Sequence, residues 1–468
     1  GAAPRTPPAP AAAAGEVAGP GPGDWEAQLL PPGKQGAGAR RQVSLADLFS
    51  TEKSANDPVR PLKINLDLAL WRAKEKKKRL RRSWARQPDR RGEMLLAVEQ
   101  LYQRCVSMDP ADGRSYHGLG QLYKLAGDPA RAEAALEEGC DATQGSNPYL
   151  WHARGVLACD RGDAASARSY FDAALVADAR FTPAYHAWGR LEQGEGNAQR
   201  ARDLFMRGIR QCPAGGTSQR LWHALGVMAA ERGNAEEARE CFRAGTQARG
   251  GERSAALWHS WALLETRLGD AEAARGLFKR GLLAAPGSRY IWLDWARWEA
   301  GAGNEARARA LFERGARVAP YDAALLTAWG RFEADRGRRD EARQLLRRAT
   351  GKGGASSAHA WHAWATLEAR AGELDEARRL YRAGLEKLGG GEGRRAARSA
   401  AYFYQGWGVL ERGEGNPVLA RELFKRALRK DPSMQAAWNA WADLEDELGD
   451  TFRAAELRQL KAQRMGEA

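Results

Sequence analysis

The sequence predicts an all-α solenoid of about ten to eleven stacked helical hairpins, and three patterns lead to that class. An aromatic or leucine anchor returns at Tyr116, Trp151, Tyr185, Trp222, Trp258, Trp292, Leu326, Trp361, Tyr404 and Trp438, at spacings of 34 to 43 residues. A fixed period of this size marks repeated supersecondary units that stack to bury a continuous core. Each unit then carries two amphipathic patterns separated by a Gly-polar turn, so each reads as two helices.

The first helix, A, is set by offsets from the anchor. The third residue is usually Trp, the fourth is always Gly or Ala, and the sixth is apolar, from Leu122 to Leu444. At about 100° per residue these positions form one apolar arc, with the small residue placed for a close approach by a neighbouring backbone. The turn reads Gly162-Asp163, Gly196-Asn197, Gly269-Asp270 or Gly372-Glu373, with Gly suited to a helix C-terminus and the polar residue to the next N-cap. The second helix, B, carries A-R-x-x-F-x-R-[GA], as in "ARDLFMRG" (201–208) and "ARELFKRA" (420–427). The longest spacing contains "KLGGGEGRRAARS" (387–399), which reads as an inter-repeat loop insertion.

Ahead of the repeats, helices expected at 64–86 and 92–107 read as a basic, degenerate capping repeat over 61–110, leaving 111–468 as the repeat solenoid. Residues 1–60 are rich in Ala, Pro and Gly and too poor in apolar surface to offset their ordering entropy, so they read as disordered. Their first stretch is also poor in acids and reads as a transit-peptide remnant or a plain linker. No apolar run approaches the roughly 18 residues of a membrane span. Five cysteines lie far apart without metal-ligand spacing and read as buried thiols. The formal charge of +14 favours a polyanionic partner such as nucleic acid or an anionic membrane surface.

W-x-x-W-[AG]-x-x-E followed by A-R-x-x-F-x-R-A resembles the half-a-TPR (HAT) repeat, the RNA-processing relative of the tetratricopeptide repeat (TPR), and "IWLDWARWE" (291–299) is its most typical copy. The resemblance implies a right-handed superhelical solenoid of HAT/TPR-like hairpins. The stretches "INLDLALWRAK" (64–74), "DGRSYHGLGQLY" (112–123) and "EEGCDATQGSNPYLWHARGVL" (137–157) are similar to a chloroplast subfamily of RNA-stabilising HAT factors, of the high-chlorophyll-fluorescence type in plants and the psbB messenger maturation type in green algae. That resemblance implies a partner, single-stranded RNA in the 5′ untranslated regions of photosystem II transcripts of the psbB and psbH type. It also implies protection from exonucleases, help to translation, and a place in the chloroplast stroma, free or membrane-associated. Two departures stand out: the units of Tyr116, Trp151 and Trp222 lack the helix A Glu, and the chain stops at "QRMGEA", which reads as a truncated fragment.

All seven histidines fall on one flank of helix A. The position after the anchor, near 100°, holds His117, His152, His186, His223, His259, Thr327, His362, Gln405 and Asn439, with Leu293 the apolar exception. Two before the anchor stand Arg114, Tyr149, Arg220, Tyr290, His359 and Tyr402, and five after it Gln121, Arg190, Arg297 and Arg331. Rings for stacking, hydrogen-bonding edges and cations are what a single-stranded nucleic acid needs, so this row is the candidate RNA surface. Inheritance from a common repeat explains the row equally simply, and that alternative stays open. Metal binding fits poorly, because histidines one repeat apart cannot share a coordination sphere of radius about 2 Å.

The recurring helix B Arg (Arg168, Arg202, Arg239, Arg275, Arg309, Arg343, Arg378, Arg421) and helix A Glu (Glu192, Glu265, Glu299, Glu333, Glu368, Glu411) read as an ion pair clamping A to B within a repeat. The tryptophans read as core. Lys74, Lys76, Lys77, Lys78, Arg79, Arg81 and Arg82 form a basic patch, a landing site for phosphates. No P-loop, nucleophile elbow or paired carboxylate motif is present, so the sequence points to no enzyme and no cofactor. Two binding classes remain: sequence-selective RNA binding, or a protein scaffold in an RNA-processing complex.

Overall fold

The computed structural model describes residues 60–84, 88–212, 218–351, 358–388 and 394–466. The Ala/Pro/Gly-rich segment lies outside the described residues, apart from Arg60. Among the described residues there are α-helices and two short 3-10 turns, and no strand. The helices pair as hairpins: α1 (Arg60–Ser83) with α2 (Arg91–Met108), α3 (Gly113–Ala126) with α4 (Pro129–Ala142), α5 (Pro148–Arg161) with α6 (Ala164–Ala177), α7 (Thr182–Gly194) with α8 (Ala198–Gln211), α9 (Ser218–Glu231) with α10 (Ala235–Gln247), and α11 (Ala255–Leu268) with α12 (Ala271–Ala284). These form the first of two compact units, which divide between Ala284 and Ala285. The second unit holds α13 (Arg289–Gly301) with α14 (Glu305–Val318), α15 (Ala323–Ala334) with α16 (Arg339–Thr350), α17 (Ala358–Arg370) with α18 (Leu374–Leu388), α19 (Arg394–Gly413) with α20 (Pro417–Lys430), and α21 (Gln435–Glu447) with α22 (Thr451–Met465).

Odd-numbered helices are A and even-numbered ones B. Within each unit successive A helices touch one another, while B helices pack mainly on the A helices before and after them. Helix A is therefore the inner, more closely spaced layer. Turn chemistry sets the hairpins: Gly162 ends α5 at φ +79°, where a side chain is strained, and the Asp163 carboxylate accepts the Ser166 N–H at 3.0 Å to start α6. The small fourth position of helix A receives the helix B Phe ring of its own hairpin, not a neighbouring backbone as the pattern suggested. A Cβ on Gly189 would stand 2.2 Å from the Phe205 ring.

The Arg–Glu clamp is real but joins consecutive hairpins, which corrects the intra-repeat reading. Arg168 on α6 grips Glu192 on α7 at 2.7 and 3.2 Å, and Arg309 on α14 grips Glu333 on α15 at 2.8 and 3.0 Å. Arg239–Glu265, Arg343–Glu368, Arg378–Glu411 and Arg421–Glu445 repeat the bidentate geometry. Each buried carboxylate also accepts the indole N–H one turn before it, as Trp329 Nε1 donates to Glu333 at 3.0 Å. The Glu lies seven residues after the anchor, about 20° from it, and thus faces the preceding helix B rather than its own.

Where the Glu is missing, other pairs close the seam. Tyr123 donates to Glu99 at 2.7 Å between α2 and α3, and Arg154 on α5 binds Glu133 and Glu137 on α4, reversing the polarity. Arg202 pairs with Glu237 on α10, because position seven of α9 is Ala229.

Two more expectations change. Residues 394–399, read as loop, begin α19, and 387–388 end α18, so only 389–393 of the insertion lies outside the described residues. Among the described residues most tryptophans pack on the core, Trp71 excepted, but only Trp292, Trp295 and Trp441 are buried; the indole N–H of the others commonly reaches a seam carboxylate or a carbonyl near the surface.

Replacing Arg309 with Met leaves Glu333 a buried carboxylate without its guanidinium, and should cost on the order of 3 kcal/mol. Urea unfolding of R309M should show it, and the double variant with Glu333→Leu should recover much of the loss.

The Arg168 hydrogen bond holds the Glu192 carboxyl down at about 2, and Glu411 and Glu445 are lowered by Arg378 and Arg421. For Glu333 and Glu368 burial pushes upward, yet Arg309 and Arg343 prevail and the net shift is down. A folded-state value below the unfolded one gives stability that is full above pH about 4.5 and lost as pH falls through the folded values. The carboxylate contribution, read as the difference in urea midpoint between wild type and the Arg309→Met/Glu333→Leu double variant, should thus be flat from pH 7 to 5.5 and fall towards pH 3.

Candidate nucleic-acid interface

The seven histidines share the expected flank of the inner helices, but most sit deeper than a solvated edge. His152, His186 and His223 lie with ring centroids 6.0 to 6.4 Å from Phe171, Phe205 and Phe242, the helix B rings of their own hairpins. On the other side they meet the next hairpin: His152 contacts Phe181 at 5.7 Å and His223 Nε2 lies 2.8 Å from Ser260 Oγ. His362 packs against Tyr381, Tyr402 and Phe403, and its Nε2 lies where a Cβ on Gly406 would stand, 2.3 Å away. A histidine after the anchor is thus a wedge in the seam, with His223 Nε2 engaged by Ser260 and His362 Nε2 buried.

Burial keeps these imidazoles neutral. It pushes His117, His186 and His362 down to about 4, assisted respectively by Lys77, Arg190 and Arg331, and it lowers His152 and His223 as well. Their electrostatic neighbours also fix the layout. Arg190, five after its anchor, is near enough to lower His223 of the next hairpin electrostatically, and Arg331 acts on His362 in the same relation.

Around this line the exposed groups differ in availability. Arg190, Arg220, Arg297 and Arg331 are exposed, as are the rings of Tyr149, Tyr290, His359 and Tyr402. Arg114 is held by Asp112 at 2.7 Å and Asp67 at 2.8 Å, which reduces its reach for phosphate. Thr327 drops out of the row: it is buried, and its hydroxyl donates to the Ala323 carbonyl at 2.5 Å. Gln405 is half-buried and Asn439 exposed.

The basic patch meets the row at its first hairpin, a junction the sequence did not reveal. On α1 the core stripe is Leu66, Leu70, Ala73 and Leu80, and Lys77 falls within it. Lys77 lies over the Tyr102 ring at 5.4 Å and donates to Gln121 Oε1 at 2.9 Å. An ammonium can only donate, so the Gln121 oxygen faces it and the amide N–H faces His117 Nε2, 3.1 Å away. Burial, then Lys74, lowers Lys77 to about 8, so it is a weaker cation than the patch reading assumed. Lys74, Lys76, Lys78, Arg79, Arg81 and Arg82 remain exposed, and Trp71 among them is 60% exposed. The signal for Trp71 was present: it lies off the stripe formed by Leu66, Leu70, Ala73 and Leu80.

Among the described residues no cluster of three or more His, Cys, Asp and Glu could hold a metal ion, and no helix is long and apolar enough to cross a membrane. His186 should remain neutral down to about pH 5: its Cε1 resonance should stay flat between pH 8 and 5.5. A folded value near 4, below the unfolded 6.5, means this neutral wedge stabilises the seam above pH 6.5 and that this contribution fades as pH falls towards 4.

Residues 185–352 match the family model of the pre-mRNA-splicing factor Syf1/CRNKL1 C-terminal HAT repeat, and residues 101–134 match that of a tetratricopeptide repeat. The Arabidopsis thaliana protein high chlorophyll fluorescent 107 is 36% identical over 125 residues, 27% of this chain and 17% of that one. The Chlamydomonas reinhardtii PsbB mRNA maturation factor Mbb1, chloroplastic, is 38% identical over 151 residues, 32% and 22% of the two chains. The chain thus aligns with about a fifth of the length of these curated relatives. Among solved structures, yeast Tom70 aligns at TM-score 0.42 and 12% identity over 84% of this chain and 91% of that one. A tetratricopeptide repeat protein from Parabacteroides merdae aligns at 0.37 and 15%, over 58% and 98%. The described chain is thus an all-α protein of stacked helical hairpins that matches HAT and tetratricopeptide repeat models over residues 185–352 and 101–134, and it is similar over part of its length to a plant high-chlorophyll-fluorescence factor and an algal psbB messenger maturation factor.

Proposed function

We propose that the chain binds single-stranded RNA along the inner flank of helix A in each unit, and that it acts in the chloroplast on the 5′ ends of photosystem II transcripts of the psbB and psbH type. The observation that carries this reading is the repeated placement of a cation from one hairpin beside the neutral imidazole of the next, with exposed rings on the same flank. Arg190, Arg220, Arg297 and Arg331 offer charge to phosphates. Tyr149, Tyr290, His359 and Tyr402 offer faces to unpaired bases, each stacked base contributing about 1 to 3 kcal/mol. A neutral imidazole edge can donate or accept towards a base without adding charge.

The name of the algal relative, a chloroplastic psbB messenger maturation factor, supports messenger maturation in the chloroplast as the process. A protein that covers a transcript's 5′ end and leaves slowly blocks an exonuclease, and bases held on the flank cannot pair over a ribosome-binding site. Nothing in this action requires bond chemistry from the protein.

Fluorescence anisotropy with single-stranded psbB and psbH leaders and scrambled controls, across a salt series, tests the reading. One leader should bind best, and a 5′→3′ exonuclease should stall at the bound end. Arg190→Ala and Arg331→Ala should each reduce the salt slope by about 0.7. His186→Gln should leave that slope unchanged, because the imidazole is neutral. Weak, equal binding to every RNA, with a protein captured instead, would favour the scaffold reading.

A further inference from the structure

The seam between α17 and α19 differs from its neighbours. Helix A after the cap is otherwise 12 to 14 residues long, whereas α19 has 20 and starts ten residues before its anchor Tyr404 rather than three or four. The added turns bring Arg398 and Ser399 over the inner flank and wall off a cavity of about 270 Å³. Its other walls are His359 and His362 from α17 and Tyr402 and Phe403 from α19.

We propose that this cavity is a one-base pocket: it takes a single unpaired nucleobase, with the attached phosphate on Arg398. The size is below the roughly 300–1,000 Å³ of sites for drug-sized ligands, so it suits one ring system and not a chain. Phe403 is buried and closes the floor, while Tyr402 is 48% exposed and presents a face. The His359 and Tyr402 centroids are 6.3 Å apart at 42°. A planar ring stacked between both needs them near-parallel and about 7 Å apart, two carbon contacts of about 3.5 Å, so the exposed His359 ring must turn as well as open slightly to admit it.

The rim separates a nucleotide from an aromatic peptide side chain. Arg398 is 81% exposed and its ion pair with Asp431 is long, 3.7 Å, which makes exchange for a phosphate inexpensive. Arg331 adds a second positive charge near His362. A ring cavity with the Arg398 guanidinium at its rim fits a base carrying its own anion. The pocket rests on the RNA-binding reading for its natural ligand, but a free nucleotide offers the same chemistry, so both are tested.

The full chain is used in two arms. In the first, the best-bound leader RNA is scanned with single abasic positions. One position should weaken wild type about 5- to 100-fold and leave Tyr402→Ala unaffected. Tyr402→Phe should bind within about twofold of wild type, and Arg398→Ala should bind more weakly with an unchanged melting midpoint. In the second arm, adenosine monophosphate is followed by saturation-transfer NMR and should bind wild type but not Tyr402→Ala. If Tyr402→Ala unfolds, Arg398→Ala at its exposed site decides both arms. RNA bound equally by all variants, with no position masked, overturns the pocket and leaves RNA binding standing. Nucleotide binding at Tyr402 with no RNA binding keeps the pocket and overturns the RNA reading, and neither binding overturns both.

Discussion

The interaction on which each unit depends is the polar seam between one hairpin and the next. A helical repeat cannot bury its apolar face alone, so stability accrues at interfaces between repeats. Here the interface must also satisfy a carboxylate that is almost wholly buried. Glu192, Glu265, Glu333, Glu368, Glu411 and Glu445 do so with a bidentate guanidinium from the preceding helix B and an indole N–H from their own helix. Apolar packing alone tolerates sliding and rotation of one hairpin on another. A forked hydrogen-bonded pair fixes distance and angle together. Tyr123–Glu99 and Arg154–Glu133 place other polar pairs across two of the seams that lack the carboxylate.

Once the seam fixes the spacing of helix A, it also fixes what the inner flank can present. The small fourth residue draws the helix B ring inward, and the residue after the anchor then falls on the edge of that ring. An imidazole fits because it is flat, packs as an aromatic, and carries nitrogens that polar neighbours such as Gln121 and Ser260 can meet. The same burial that makes it a good wedge removes its charge. On the proposed reading, phosphate attraction on this flank falls to arginines on outer positions, and the histidines supply shape. Packing is then no argument against ligand contact, so the inherited-repeat and ligand-contact readings of the histidine row are not exclusive.

The place where the anchor spacing is longest, 43 residues, is also one where the flank acquires depth. A smaller cavity of about 140 Å³ lies between His117 and His152 in the first unit. At α17 and α19 the extra helical turns add a wall, and two exposed rings converge on it. The basic end of the first unit is different again: α1 offers exposed cations and Trp71, but joins the row through the neutralised Lys77 and the amide of Gln121.

The sequence by itself determined the helical hairpins, their period and the flank that carries the histidines, because 100° rotation and Gly-polar turns are local rules that need no knowledge of neighbours. It also exposed the Arg and Glu series, though not their pairing. Which hairpin Arg168 reaches depends on how helices stack, and an intra-repeat and an inter-repeat pair have the same periodicity in the chain. Depth was equally hidden: His186 and Thr327 occupy the same register, but one wedges against Phe205 and the other folds its hydroxyl back onto Ala323. The junction of Lys77 with His117, 40 residues apart, and the pocket of Arg398 and His359 arise only when separate helices meet, because burial, charge neutralisation and enclosure are properties of what surrounds a residue.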